Sequence, residues 1–306
     1  VEGKWRAYFE LLRFPAVFTV VADVMMGHLV THGSIDPWQD FALLVSAASC
    51  LYLAGMVLND VYDADVDAIE RPGRPIPSGR IAQSAAVRLG WQLLIGGICL
   101  AWLVSWLDGN WRPGIVGSLL AVFVFLYDAV LKHTFIASVV MGGCRFLNVL
   151  LGMSLATASR WPFEPSWNPS ELAIAVGIGA YIVGLTWFAR GEASVHNRKQ
   201  QLPGIAVMLL GLLVLEVSPG SALPIAFEDN WPLFWTGLAL VIVGRCLWAV
   251  WHLEPRAIQI AVRNSLRALI VIDAAIVLGW VGPMWACAVL ALLLPMLFLE
   301  RWASTT

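Results

Sequence analysis

With 306 residues, 59% of them hydrophobic and only 13% charged, and a net charge of −2, the chain cannot be a soluble globule, whose charged fraction lies near a quarter. A mean hydropathy of +0.75 makes the lipid bilayer its expected surroundings. The overall charge says little about partners, because the sign that matters in such a chain is local to its loops; no nucleic-acid partner is expected.

The run VEGKWRAYFELLRFP at the amino terminus is expected to form a charged amphipathic piece resting at the interface through Trp5 and Phe9. It does not read as a cleavable signal peptide, since it lacks a short apolar core followed by small residues. A membrane span needs about 20 apolar residues, and the first two are expected near 14 to 31 and 41 to 58.

The stretch NDVYDADVD follows the second span and runs on into ERPGRPIPSGR. A helix advances about 100° per residue, so Asp60, Asp63 and Asp67 fall within about 60° of one another on one face. Three such carboxylates repel unless a cation joins them. Ligands that are all oxygen favour a hard divalent ion such as Mg²⁺, which shares its remaining positions with substrate phosphates. Arg71, Arg74 and Arg80 come next, and guanidinium forks match phosphate oxygens. Metal and diphosphate are the expected contents; the plainer reading is a solvated loop whose arginines anchor lipid headgroups.

NDxxDxxxD followed by RPIPSG resembles the first signature of the UbiA superfamily of intramembrane prenyltransferases. The resemblance implies an all-α polytopic membrane bundle of nine or ten transmembrane helices, UbiA-like, forming a single domain over residues 1–306. It also implies Mg²⁺ held by Asn59, Asp60, Asp63 and Asp67, with a prenyl diphosphate as the donor.

Further spans are expected near 83 to 107, 113 to 131 and 135 to 157. The fourth span closes on YDAVLKHT, where Tyr127 and Lys132 resemble the family's Y and K pattern. On that reading Lys132 is a diphosphate ligand; on the other it snorkels to headgroups. Asp128 lies between them without an assigned role. The fifth span holds GGCRFLNVLLG, whose Arg145 and Asn148 are three apart. Charge in a bilayer core is costly and tends to face a cavity, and the neighbouring glycines allow close helix contact. The segment resembles the family's cavity-lining G, R and N pattern near the diphosphate, the alternative being a hydrogen-bonded glue between helices.

After the sixth span, near 170 to 189, the family carries a second acidic motif, whereas this chain reads FARGEASVHNRKQQL with no aspartate. Glu192 and His196, four apart and so on one helical face, are the candidates for a second site, with Asn197 and Tyr127. Arg190, Arg198 and Lys199 could instead neutralise diphosphate as fixed positive charge, or simply mark topology.

The last spans are expected near 203 to 218, 231 to 251, 262 to 281 and 284 to 300. Arg245, Arg263 and Asp273 fall in or near them without assigned partners. The cysteines sit singly in apolar segments and read as small core residues, and tryptophans near segment ends suit interfacial belts. Lys and Arg concentrate in alternate loops, against only Arg112 and Arg160 in the others. The positive-inside rule then places the amino terminus, the NDVYDADVD loop and residues 190 to 201 in the cytosol, with a bacterial inner membrane as the expected location.

Together these imply a donor whose tail lies in the bundle and whose diphosphate meets Arg71, Arg74, Lys132, Arg145, Asn148, Arg198 and Lys199. Asp60, Asp63, Asp67 and Arg145 are the expected catalytic residues. Ionisation gives an allylic cation, captured by an unknown acceptor that is aromatic or small and polar. Two rivals stand beside this reading: a terpene cyclase of the same superfamily, and a membrane protein that binds prenyl diphosphate or lipid without turnover. The first motif paired with WFARGEA most resembles the EboC-like subgroup, bacterial proteins associated with export or biosynthesis of secondary metabolites.

Overall fold

A computed structural model describes residues 2–155, 167–190, 198–217, 230–252 and 254–304, and among them every regular element is helical. Helix α1 (Glu2–Leu11) leads through a 3₁₀ turn to α2 (Val17–His32), α3 (Trp38–Tyr62), the short α4 (Ala64–Glu70), α5 (Gln83–Asp108) and α6 (Arg112–Leu126). A π-helical turn, Tyr127–Leu131, extends α6 before α7 (Ala137–Gly152), α8 (Pro169–Arg190) and α9 (Arg198–Glu216). The chain ends with α10 (Trp231–His252), α11 (Pro255–Trp280), α12 (Pro283–Ala291) and α13 (Leu293–Ser304).

Within the described residues, each of the ten apolar segments expected from sequence falls mostly on helix. Among the described residues, seven helical stretches are long and apolar enough to cross a membrane, against the nine or ten expected: α2 with its leading turn, α3, α5, α6 with its π turn, α8, α10, and α12 joined to α13. Helix α7 and the apolar part of α9 are shorter, and α11 is long but carries Arg256, Arg263, Arg267 and Asp273. The outer surface is apolar, with side chains such as Phe135, Leu240 and Phe298 exposed. That is the exterior of an integral membrane protein, whose backbone polar groups must be satisfied within helices.

Helix α1 lies as its amphipathic pattern requires. Ala7 and Leu11 bury against Val57, Ile81 and Ala86, while Trp5 is 67% exposed. The chain then turns at Arg13, a non-glycine residue in the left-handed region (φ 44°), and this corner sends its guanidinium back toward α3.

Close approaches between helices depend on small residues, as expected where lipid supplies no hydrophobic drive between them. A Cβ on Gly27 of α2 would fall 2.6 Å from the Val149 carbonyl oxygen of α7, and one on Gly204 of α9 would fall 2.6 Å from the Phe188 nitrogen of α8. The first of these contacts holds α2 against α7, the pair of helices that builds the floor of the site.

Candidate active site

Helix α3 ends at Tyr62 and α4 begins at Ala64, yet the helical path carries across the break. The Asp63 amide donates to the Asn59 carbonyl (3.0 Å), and the Asp67 amide to the Asp63 carbonyl (2.8 Å). Asp60 and Asp67 therefore keep a common face and share one cation: Nη1 of Arg74 donates to Asp60 Oδ1 (3.3 Å) and to Asp67 Oδ2. Arg13, which sequence reasoning left as a loop charge, also reaches Asp60 Oδ1 with its Nη2 at 3.1 Å.

Asp63, at the break, turns to a different partner. Its Oδ2 pairs with Lys132, whose Nζ also donates to Asn59 Oδ1 at 2.8 Å. The Asn59 amide bridges the two groups, donating to Asp60 Oδ1 and Asp63 Oδ2, both at 3.4 Å. The three carboxylates thus divide between two arginines, which take Asp60 and Asp67, and Lys132, which takes Asp63. Among the described residues, no group of three or more His, Cys, Asp or Glu is arranged to hold a metal ion. Helical spacing alone did not anticipate that Asp63 pairs with Lys132 while Asp60 and Asp67 pair with arginines.

The donor set nevertheless fits a hard divalent ion. Asp60 and Asp67 converge on one positive centre, and Asn59 and Asp63 on another. Oxygen donors directed in pairs at positive charge are the chemistry that Mg²⁺ takes.

Arg80 is structural, with Nη1 on Glu10 Oε2 (2.7 Å) and Nη2 on the Gly73 carbonyl (2.6 Å). Arg190 is also engaged: its guanidinium donates to the carbonyls of Lys132, Thr134 and Phe135. It secures the segment after the π turn and does not stand as free charge for diphosphate. Arg71 is exposed and, with Lys132, His133 and Arg190, lines an open cavity of about 840 Å³ at this mouth. Arg198 and Lys199 open α9, their side chains lying outside the described residues, as do Glu192, His196 and Asn197.

Inward of the cap lies a second cavity of about 400 Å³. Arg13 and Asn59 belong to its wall, with Tyr127 and Asp128 from the π turn and Arg145 and Asn148 from α7, among apolar residues such as Val20, Leu120 and Leu185. A π turn widens the helix locally and is frequent at functional sites; here it puts both Tyr127 and Asp128 on the cavity wall.

A buried polar floor, of which sequence reasoning had Arg145 and Asn148 but not Asp23 or Thr19, closes this cavity. Arg145 Nη1 donates to Asp23 Oδ2 (2.6 Å), and Nη2 to Thr19 Oγ1 (2.7 Å). Asn148 Nδ2 donates to the same Asp23 oxygen (2.9 Å) and to the Val20 carbonyl (3.2 Å). Asp23 and Asp273 are both fully buried, and Asp273 lies close enough to Asp23 and Arg145 to interact with each electrostatically. Its two carboxylate oxygens have no hydrogen-bond partner among the described residues. Arg145 is therefore already charge-compensated within the membrane. Arg245 and Arg263 are exposed. The signal that could have found Asp23 was present: a lone acid inside the apolar run TVVADVMM.

Comparison with known proteins converges on one family. The UbiA prenyltransferase family model matches residues 20–268. Digeranylgeranylglyceryl phosphate synthase of Methanopyrus kandleri is 30% identical over 167 residues, 50% of this chain and 56% of that protein. Protoheme IX farnesyltransferase of Acidiphilium cryptum is 34% identical over 143 residues, 46% of this chain and 43% of that protein. The chain thus spans about half the length of these relatives. A UbiA homolog from Archaeoglobus fulgidus bound to GPP and Mg²⁺ shares the fold, with a TM-score of 0.61 at 15% identity over 93% of this chain and 99% of that one. The apo UbiA homolog from Aeropyrum pernix K1 gives 0.59 at 15% identity, covering 86% and 97%.

Proposed function

Because the chain belongs to the UbiA prenyltransferase family, we propose that it ionises a prenyl diphosphate within the membrane and transfers the prenyl group to an acceptor. The observation that carries this reading is the joining of two environments in one cavity. A charged cap of Asn59, Asp60, Asp63, Asp67, Arg74 and Lys132 opens onto a mostly apolar chamber of about 400 Å³. An amphiphile with a diphosphate head and an isoprenoid tail matches that division.

Asp60 with Asp67, and Asn59 with Asp63, would hold Mg²⁺, which supplies positive charge to a departing diphosphate. Arg74 and Lys132, now held by these same oxygens, are the cations placed to turn toward diphosphate oxygens, with Arg71 at the mouth. Charge placed in advance where the leaving group develops its own is the main source of rate in such a site. The apolar wall does the complementary work of keeping water from the allylic cation. Tyr127, on the same wall, offers an aromatic face to a cation. Arg145 and Asn148, fixed by Asp23, serve as the polar floor.

In this reading all 306 residues form one membrane domain with the cap in the cytosol, the side to which the Lys and Arg of the loops point. The relatives named for a glyceryl phosphate product and for protoheme IX indicate acceptors of quite different shape, so the acceptor must be read from this chain's own cavity.

The test is diphosphate release from farnesyl and geranylgeranyl diphosphate by the purified protein with Mg²⁺, with Asp63→Ala as control and mass spectrometry of the organic products. Release that falls by two orders of magnitude or more in the variant, on the scale of losing one electrostatic group of an active site, is the expected result. Cyclic products formed without acceptor would identify a cyclase instead. No release from either donor would overturn the proposal.

A further inference from the structure

We propose that Asp128 is the general base of this site, taking the proton from an O–H or N–H acceptor as that acceptor captures the allylic cation. The inference rests on the prenyl-transfer reading and assigns a residue to its second half, the step for which the cap supplies nothing.

The carboxylates of the cap are all engaged: Asp60 and Asp67 by arginines, Asp63 by Lys132. Asp128 stands apart from them. It is 7% exposed, lies on the wall of the inner cavity, and its Oδ2 has no hydrogen-bond partner among the described residues. An unpaired carboxylate oxygen at such a depth is costly, and structures that retain one commonly use it. The π turn is what directs Asp128 inward. Across from it Gly55 carries no side chain; a Cβ there would stand in van der Waals contact with Oδ2 at 3.8 Å and press on Val124 at 3.1 Å. The charged groups acting on Asp128 are Lys132, Asp63, Arg13 and Asp60, so it sits where the cap meets the apolar chamber, the level at which the C–O bond of a bound donor must break.

The chamber also shows what kind of ligand it awaits. Its other unpartnered buried polar atom on the wall, Asn148 Oδ1, is likewise an acceptor. A nucleophile that brings hydrogen-bond donors complements both atoms, whereas an anionic one complements neither.

The C–O bond to diphosphate breaks first, and its electron pair leaves with the diphosphate. The acceptor's oxygen or nitrogen then donates a lone pair to the allylic carbon; its X–H bond breaks, that electron pair stays on the heteroatom, and the proton passes to Asp128. In a chamber without bulk water only a side chain or the departed diphosphate can take that proton, and Asp128 is the carboxylate on the chamber wall.

The experiment uses the full-length protein with Mg²⁺ and geranyl diphosphate carrying ¹⁸O in the bridging position. Scrambling of that label into non-bridging positions counts ionisation events. Geraniol and geranyl methyl ether, formed from water and methanol as probe nucleophiles, count captures. Asp128→Asn and Asp128→Ser should lower captures per ionisation by about 100-fold or more, the range for a lost general base. Binding of geranyl S-thiolodiphosphate, which resists ionisation, reports that each variant is folded with its donor site intact. An unchanged ratio overturns the proposal. So does a parallel loss of scrambling and capture with analogue binding retained, which would place Asp128 among the ionising groups. Absence of both scrambling and capture products in the wild-type protein overturns the prenyl-transfer reading itself, and this proposal with it.

Discussion

The floor of the cavity makes a quantitative demand on stability. Replacing Asp23 by Leu removes a fully buried carboxylate that accepts from Arg145 at 2.6 Å and from Asn148 at 2.9 Å. Breaking a buried pair from one side costs about 3–5 kcal/mol, because the remaining charge is left uncompensated. The hydrogen bond lost by Asn148 adds about 1 kcal/mol. Asp273, the second carboxylate within electrostatic reach of Arg145, offsets part of this, so the expected net cost of Asp23→Leu is about 4 kcal/mol, or roughly a thousandfold in the folded-to-unfolded ratio. Replacing both partners, Asp23→Leu with Arg145→Met, removes the orphaned guanidinium and leaves only the Asp273 carboxyl without its partner, and should return stability to within about 1–2 kcal/mol of wild type. Reversible unfolding in mixed dodecyl maltoside and SDS micelles, followed by circular dichroism, gives all three values and a coupling energy of at least about 2 kcal/mol. The reasoning is refuted if the single variant costs under 1 kcal/mol, or if the double variant costs the sum of the two singles.

Asp273→Asn should be neutral or stabilising by up to about 1 kcal/mol in the same assay, because an amide supplies the donor that Asp23 Oδ1 lacks. Gly27→Val should destabilise by about 2–3 kcal/mol or more through overpacking at the α2–α7 contact; since those helices carry Asp23 and Arg145, catalysis should fall with it. Arg190→Gln releases the carbonyls of Lys132, Thr134 and Phe135 and should slow diphosphate release by about 10- to 100-fold, the cost of a misplaced group. Unchanged kinetics in that variant would mean that Lys132 is positioned without Arg190.

What could be read from the chain followed the range of each interaction. Apolar runs reported the helices because a membrane span is a local property of about 20 residues. The cap was legible for the same reason, since Asn59, Asp60, Asp63 and Asp67 lie within a few turns and Lys132 was marked by its place at a span end. The division of the three carboxylates between the arginines and Lys132 was not legible, because Arg13 and Lys132 reach them from 47 and 69 positions away. The floor was half legible. Arg145 and Asn148 stood out as a pair on one helix, but Asp23 lies 122 positions from Arg145 and no local pattern connects them. Asp273 likewise had no sequence neighbour to explain it, and only packing of α11 against α2 brought it to Asp23. Arg13 was hidden by a backbone corner whose φ of 44° propensity does not foresee.

The pairing within the cap leads to one more expectation. Arg13, Arg74 and Lys132 face Asp60, Asp63 and Asp67, so three cations balance three carboxylates and the cap offers a diphosphate no net attraction of its own. A multiply charged anion can dwell there only if positive charge is added, or if a carboxylate is removed. Asp67→Asn does the second while leaving the helix and Arg74 in place. In EDTA, geranyl S-thiolodiphosphate should bind this variant more tightly than wild type by about tenfold, a modest share of the several kcal/mol that one unit charge commands at contact distance under an effective dielectric near 20. With saturating Mg²⁺ the order should reverse, because Asp67 is then a lost metal ligand. Raising ionic strength should erase much of the gain in EDTA, since the mouth is open to solvent and its charges are screened. Equal binding of the two proteins in EDTA would show that the carboxylates hold Arg74 and Lys132 too loosely to mask them, and that the self-neutralised cap is not what makes donor binding depend on the divalent ion.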